Sequence, residues 1–142
     1  KLDLEGKDLL DMGCGTAVLA ILAKMKHAKK VVGIDIDEWA YNNALENTRL
    51  NHTEDIQIAL GCAEQIPAFG TFDIVIANIN RNIQLNDINQ YVGCMKPGAT
   101  LFMSGFYTED IPAIQAECER NGLKFISHAE KNNWVAVKTQ KP

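Results

Sequence analysis

The sequence predicts one doubly wound α/β domain: a mostly parallel, seven-stranded sheet with one antiparallel strand. Three observations carry this reading. Strand-like apolar runs alternate with helix-patterned segments along the chain, which implies parallel strands joined by right-handed crossovers. The runs at residues 31–36 and 72–77 are mostly apolar, rich in Val and Ile and without regular alternation, as strands covered on both faces are. The chain closes on two strand-like segments split by Asn132-Asn133, a hairpin signal that adds the antiparallel member near one edge.

The elements follow in order. Residues 9–12 read as a short buried strand that ends in Gly13-Cys14-Gly15. Residues 16–26 carry apolar side chains at Ala17, 19–22 and Met25, a helix pattern. The Val- and Ile-rich strand at 31–36 comes next, and Asp37 is placed to cap a helix running to about Leu50. Residues 56–60 and 72–77 are the third and fourth strands. A helix over 83–95 is expected to stop at Pro97-Gly98. Residues 99–104 form a fifth strand, and a helix over 110–121 closes on Gly122. The final pair spans 124–129 and 134–139.

Composition bounds the function. With 142 residues and 46% apolar content, the chain has room for one domain with a substantial core. The net charge of −4 and the lack of a long basic run make direct nucleic-acid binding an unexpected role. Cys14, Cys62, Cys94 and Cys118 are scattered without metal-ligand spacing, and they read as free thiols in a reducing cytoplasm. No apolar run reaches membrane-spanning length. The chain starts at Lys1 and enters a strand within ten residues, so we expect it to be a fragment of a longer protein.

In such a sheet, ligands bind outside the carboxyl ends of the strands, at the switch point. The first turn to inspect is Asp11-Met12-Gly13-Cys14-Gly15-Thr16-Ala17. Its glycines allow close backbone approach and are expected to leave N–H groups free at the next helix N-terminus; a plain tight turn is the alternative. The dinucleotide fingerprint G-x-G-x-x-G fails, because Val18 stands where its third glycine belongs. Asp35 ends the second strand about 20 residues on, where an acid accepts hydrogen bonds from ribose hydroxyls, with Ile36 beside it. Asp37 suits helix capping better. After the third strand, Gly61-Cys62-Ala63-Glu64 offers a place for an adenine ring along Cys62 and Ala63, with Glu64 either solvated or functional.

The fourth strand ends in Ala77-Asn78-Ile79-Asn80. An asparagine at a buried strand end must satisfy its amide somewhere. The oxygen of Asn78 can accept from an amine and aim its nitrogen, whereas Asn80 suits a helix cap. Phe106 and Tyr107 follow the fifth strand and either border a substrate entrance or close the sheet end. His27, His52 and His128 lie far apart and read as surface or loop residues.

Together, Asp11-Met12-Gly13-Cys14-Gly15, Gly33-Ile34-Asp35-Ile36-Asp37, Phe72 through Ile79 and Lys96-Pro97-Gly98 resemble class I S-adenosylmethionine-dependent methyltransferases with a Rossmann-like fold. Ala77-Asn78-Ile79, Ser104-Gly105 and Trp134-Val135-Ala136 make the chain similar, more narrowly, to the ribosomal protein L11 methyltransferases (PrmA). The resemblance implies S-adenosylmethionine as cofactor, held by Asp11, Gly13, Cys14, Gly15, Thr16, Asp35, Ile36, Cys62, Ala63 and Asn78, with Asn78 as catalytic residue. It also implies an amine of a large-subunit ribosomal protein as substrate, lysine or N-terminal, and a separate N-terminal recognition domain. Two departures stand out. Ala17 replaces the third glycine of the usual D-x-G-x-G-x-G turn, and Asn80-Arg81-Asn82 is more polar than is typical there. A methyltransferase of another substrate (a small molecule, an RNA base or a different protein) and a non-catalytic cofactor-binding module are the alternatives; a nicotinamide oxidoreductase ranks third.

Overall fold

The computed structural model describes residues 3–15 and 17–142. Strands β1 (Asp8–Met12), β2 (Lys30–Asp35), β3 (Gln57–Leu60), β4 (Phe72–Asn78), β5 (Met95–Tyr107), β6 (Lys124–Lys131) and β7 (Trp134–Gln140) form one sheet. Their order is β3-β2-β1-β4-β5-β7-β6. The pairings from β3 through β5 are parallel, whereas β7 runs antiparallel to both β5 and β6. The six-plus-one arrangement expected from the sequence is therefore present, with the antiparallel strand one place in from the edge.

Helices α1 (Val18–Met25), α2 (Glu38–Leu50), α3 (Arg81–Gly93) and α4 (Ile111–Arg120) supply four connections. The β3–β4 connection is a 3₁₀ helix, Ala63–Phe69, which the sequence reading left without an element. Its buried residues Ala63 and Ile66 are three apart and Pro67 lies inside it. That repeat suits three residues per turn rather than 3.6, so a search for α-helical spacing passes over it. No helix among the described residues is long and apolar enough to cross a membrane.

Successive strand residues face opposite sides of the sheet, and this splits the core into two layers. Leu10, Met12, Val32, Ile34, Val75 and Leu101 pack under Ile88 and Tyr91 of α3 and Ile114 and Cys118 of α4. Leu9, Val31 and Ile74 pack on the other face against Ala20 and Ile21 of α1 and Ala44 of α2.

Local signals explain most boundaries. The Asp37 side chain accepts from Trp39 N at 3.1 Å, and Asn80 accepts from Ile83 N at 3.1 Å, so each caps a helix. Gly122 adopts φ 81°, while Leu123 N reaches Cys118 O at 2.9 Å and Gly122 N reaches Glu119 O at 3.0 Å, a Schellman stop. Asn132 and Asn133 have φ 53° and 69°, the two left-handed positions of a hairpin turn. The expected helix stop at Pro97-Gly98 is corrected. α3 ends at Gly93, and Met95 already pairs with Phe72. Pro97 and Gly98 belong to an irregularity inside β5, because the next paired residues are Ile74 and Thr100. Burial of Met95 draws the chain into the sheet earlier than the proline suggests. The chain's last residues clasp this segment: Lys141 Nζ donates to Met95 O at 2.8 Å and Val92 O at 3.0 Å.

Candidate functional site

β1 leaves the sheet between β2 and β4, the switch point of the strand order. A cleft of 270 Å³ opens there, and Gly13, Asp35, Ile36, Cys62, Ala63 and Asn78 meet in its wall. Ile79, Ile83 and Asp87 complete the side toward α3.

The glycine turn is shaped by close approach. Gly13 has φ 71°, and a Cβ there would lie 3.0 Å from Ile79 Cγ1 and 3.5 Å from Asn78 O. Within the turn itself the N–H groups are not free, whereas α1 begins at Val18 with no side-chain cap hydrogen bond. Gly13 N and Cys14 N both donate to Ile34 O, at 2.7 and 3.1 Å, and Gly15 N donates to Asp35 Oδ2 at 2.9 Å. The end of β2 would otherwise carry an unpaired carbonyl and a buried-edge carboxylate, and the turn folds onto both. Asp35 Oδ1 takes Asp37 N at 2.9 Å. Both oxygens are thus held by backbone, and each keeps a further lone pair for the cleft.

Asp11 precedes this turn, Cys14 and Gly15 lie within it, and none of the three is part of the cleft wall. Asp11 is 2% exposed, paired in register with Gly33 and Ile76. Burial, and then the charge of Asp35, push its carboxyl up to about 7. Cys14 is buried against Gly33, where a Cβ would meet its Sγ at 3.1 Å. Burial, followed by Asp11 and Asp35, pushes its thiol up to about 12. Thr16 lies outside the described residues. Ala17 is fully buried with φ 70°, so it adopts the left-handed backbone that a glycine would take at this place.

The β4 end separates the two asparagines. Asn80 is the helix cap, whereas Asn78 is exposed and its side chain bonds to no described residue. Asn78 is therefore not at the buried strand end the sequence suggested. Its backbone is tightly held all the same. Ile79 N donates to Ser104 O at 3.2 Å, and the fully buried Gln84 donates from Nε2 to Ala77 O at 2.8 Å and Ser104 O at 3.2 Å. Gly105 has φ 103°, and a Cβ there would fall 2.5 Å from Ile79 O. Gln84 and Asp87 are polar residues that sequence reasoning missed. The available signal was their place on the helix stripe that also carries Ile83, Ile88 and Tyr91.

A second cleft, of 430 Å³, adjoins this turn and is lined by Arg81, Tyr107 and Asp110 among others. Arg81 Nη1 pairs with Asp110 Oδ1 at 3.3 Å, and Tyr107 packs edge-on against Trp134 at 5.3 Å. Phe106 is buried and closes the sheet end, whereas Tyr107 is half exposed at the rim.

Comparison with known proteins now bears on identity. The family model described as ribosomal protein L11 methyltransferase (PrmA) matches residues 1–142. The chain belongs to the PrmA family. A ribosomal protein L11 methyltransferase of Bacteroides fragilis is 60% identical over 136 residues, 96% of this chain and 49% of that protein. The chain thus spans about half the length of the curated relatives it matches. Among solved structures, a ribosomal protein L11 methylase from Lactobacillus delbrueckii subsp. bulgaricus superposes with TM-score 0.90 at 26% identity, covering 98% of this chain and 72% of that one. Magnesium protoporphyrin IX methyltransferase from Synechocystis, solved with bound SAM, gives TM-score 0.79 at 18% identity, covering 99% and 72%. That likeness speaks for the Rossmann-like fold alone. The PrmA family assignment agrees with the strand order and the placement of the cleft.

Proposed function

We propose that this chain is the cofactor-binding unit of an S-adenosylmethionine-dependent N-methyltransferase. Its substrate is an amine, lysine or N-terminal, of a large-subunit ribosomal protein, in line with the names of its relatives. Recognition of that protein falls to a further domain outside the matched half of those relatives.

The observation that carries the cofactor reading is the occupied glycine turn. A dinucleotide needs N–H donors for its pyrophosphate. Here the N–H groups of Gly13, Cys14 and Gly15 are all taken, one of them by the Asp35 carboxylate. A cleft edged by carboxylates repels phosphate and suits a nucleoside that carries positive charge. Asp35 would accept from the ribose hydroxyls, and Ile36, Cys62 and Ala63 would flank the purine. Gly13 gives the clearance at the reacting end. Asp11, Cys14 and Gly15 support Asp35 and the turn.

When bound, S-adenosylmethionine supplies an electrophilic methyl group on a sulfonium. The chain's own part is positioning. Asn78, unpartnered and exposed at the cleft, accepts an N–H of the incoming amine and aims its lone pair. An asparagine is no base, so the amine must arrive neutral and release its remaining proton to water. A lysine is mostly protonated near pH 7, so activity rises with pH toward about 10.

Calorimetric titration with S-adenosylhomocysteine tests the cleft. Asp35→Ala should weaken binding by roughly 1.5–3 kcal/mol, and NAD should not bind. Equal binding by wild type and variant would reject the role of Asp35. In a methyl-transfer assay with the full-length protein, Asn78→Ala should lower turnover roughly 10²-fold, much more than it weakens cofactor binding. A wild-type rate would make Asn78 a structural residue.

A further inference from the structure

Asp87 lies in the same cleft as Cys62 and Ala63 and is not among the residues assigned to the ribose, the purine flanks or the amine. It is 8% exposed and sits on α3 one turn after Ile83 and one turn before Tyr91. Its described hydrogen bonding is thin. Asn86 Nδ2 donates to Oδ1 at 3.0 Å, and among the described residues no cation pairs with it. The Tyr91 hydroxyl, buried on the same stripe, has no partner among the described residues. Burial holds the Asp87 carboxyl above the ordinary range, against the lowering effect of the Asn86 hydrogen bond and with a smaller push from Glu64. A carboxylate with so little satisfaction in an apolar wall costs stability unless a ligand donor reaches it.

The neighbouring polar groups are already engaged. Gly61 N donates to Asp35 O at 2.9 Å, Cys62 N to Gln65 Oε1 at 2.6 Å, and the Cys62 thiol to Glu64 Oε1 at 2.9 Å. This end of the cleft offers a flat heterocycle apolar surface from Ile36, Ala63 and Ile83, with Asp87 as an acceptor on α3. We propose that Asp87 reads the purine, accepting a hydrogen bond from an exocyclic amine at position 6, and so selects adenosine over 6-oxo nucleosides. The assignment rests on the adenosyl reading of the cleft and deepens it. A 6-amino group donates toward the carboxylate, whereas a 6-oxo group turns a second acceptor toward it and is repelled.

The test pairs two ligands, S-adenosylhomocysteine and S-inosylhomocysteine, which differ at that position. Calorimetry on the purified chain should show wild type preferring the adenosyl ligand by about a hundredfold or more. Asp87→Ala should weaken adenosyl binding by about tenfold or more and collapse the preference to a few-fold. Asp87→Asn can accept from the 6-amino group or, with its amide turned, donate to the 6-oxo group. It should bind the adenosyl ligand within several-fold of wild type, gain affinity for the inosyl ligand, and narrow the preference. Thermal unfolding without ligand confirms that each variant is folded. If wild type binds neither ligand, the adenosyl reading falls and this assignment with it. If wild type binds the adenosyl ligand and Asp87→Ala keeps the full preference, the assignment alone is overturned.

Discussion

Asp11 shows how one residue can couple the site to solution conditions. It is buried in the middle of the sheet, two residues before the turn that holds Asp35, and its carboxyl is raised from 3.8 to about 7. The folded state therefore keeps a proton that the unfolded chain has already lost between roughly pH 4 and 7. The contribution to stability is fully present below about pH 4 and declines as pH rises through 7. At about 1.4 kcal/mol per unit, the loss is on the order of a few kcal/mol. Urea unfolding of wild type and Asp11→Asn at pH 5 and pH 8 measures it. Wild type should lose more stability across that interval, and the variant should remove most of the difference. Parallel pH slopes for the two proteins would show that Asp11 does not carry this proton.

At the scale of elements, the β4–α3 turn is fixed by its neighbour β5. Gly105 is in the left-handed region with Ile79 backbone where a side chain would go. Gly105→Ala should destabilise by roughly 2–4 kcal/mol, combining backbone strain with displacement of the turn, and should impair the methyl transfer proposed for Asn78. Gly15→Ala makes a control, since nothing lies within 4 Å of its Cβ position; it should cost about 1–2 kcal/mol from its φ alone. Similar denaturation midpoints for the two variants would contradict the steric account. The same turn shows what sequence can and cannot tell. Asn80 was readable as a cap from its place before Arg81-Asn82-Ile83, the end of β1 from the glycines that follow it, and the ends of β2 and β4 from mostly apolar runs that reach Asp35 and Asn78. Gln84 looks like a surface residue in a polar helix; its bonds to Ala77 O and Ser104 O exist because β4 and β5 meet beneath it. The glycine turn was legible as a turn, but the destination of its N–H groups was not, because that depends on where β2 ends in space. The 3₁₀ crossover and the irregularity at Pro97-Gly98 escaped for a related reason: burial of Ile66 and Met95 overrides local spacing.

Across the whole molecule, the cleft and the chain's end occupy opposite edges of the sheet. Lys141 bonds to carbonyls at the end of α3 and the start of β5, whereas the cleft lies past the other ends of the parallel strands. Lys141→Ala should cost about 1–3 kcal/mol of stability and leave S-adenosylhomocysteine affinity unchanged, as chemical denaturation and calorimetry on the same sample can show. A large affinity change would mean that the two edges are coupled. The strand order also has a consequence in time. β1 borders β4, and Asp8 N bonds to a side chain 65 residues further along the chain. At ribosomal rates of about 5–20 residues per second, roughly 3–13 seconds separate synthesis of the two strands. Pairing over such distances is also slow to nucleate, because the loop must close before any contact rewards it. Through that interval Leu10, fully buried in the finished fold, lacks the Val75 it pairs with, and β1 is open to a chaperone or to another nascent chain.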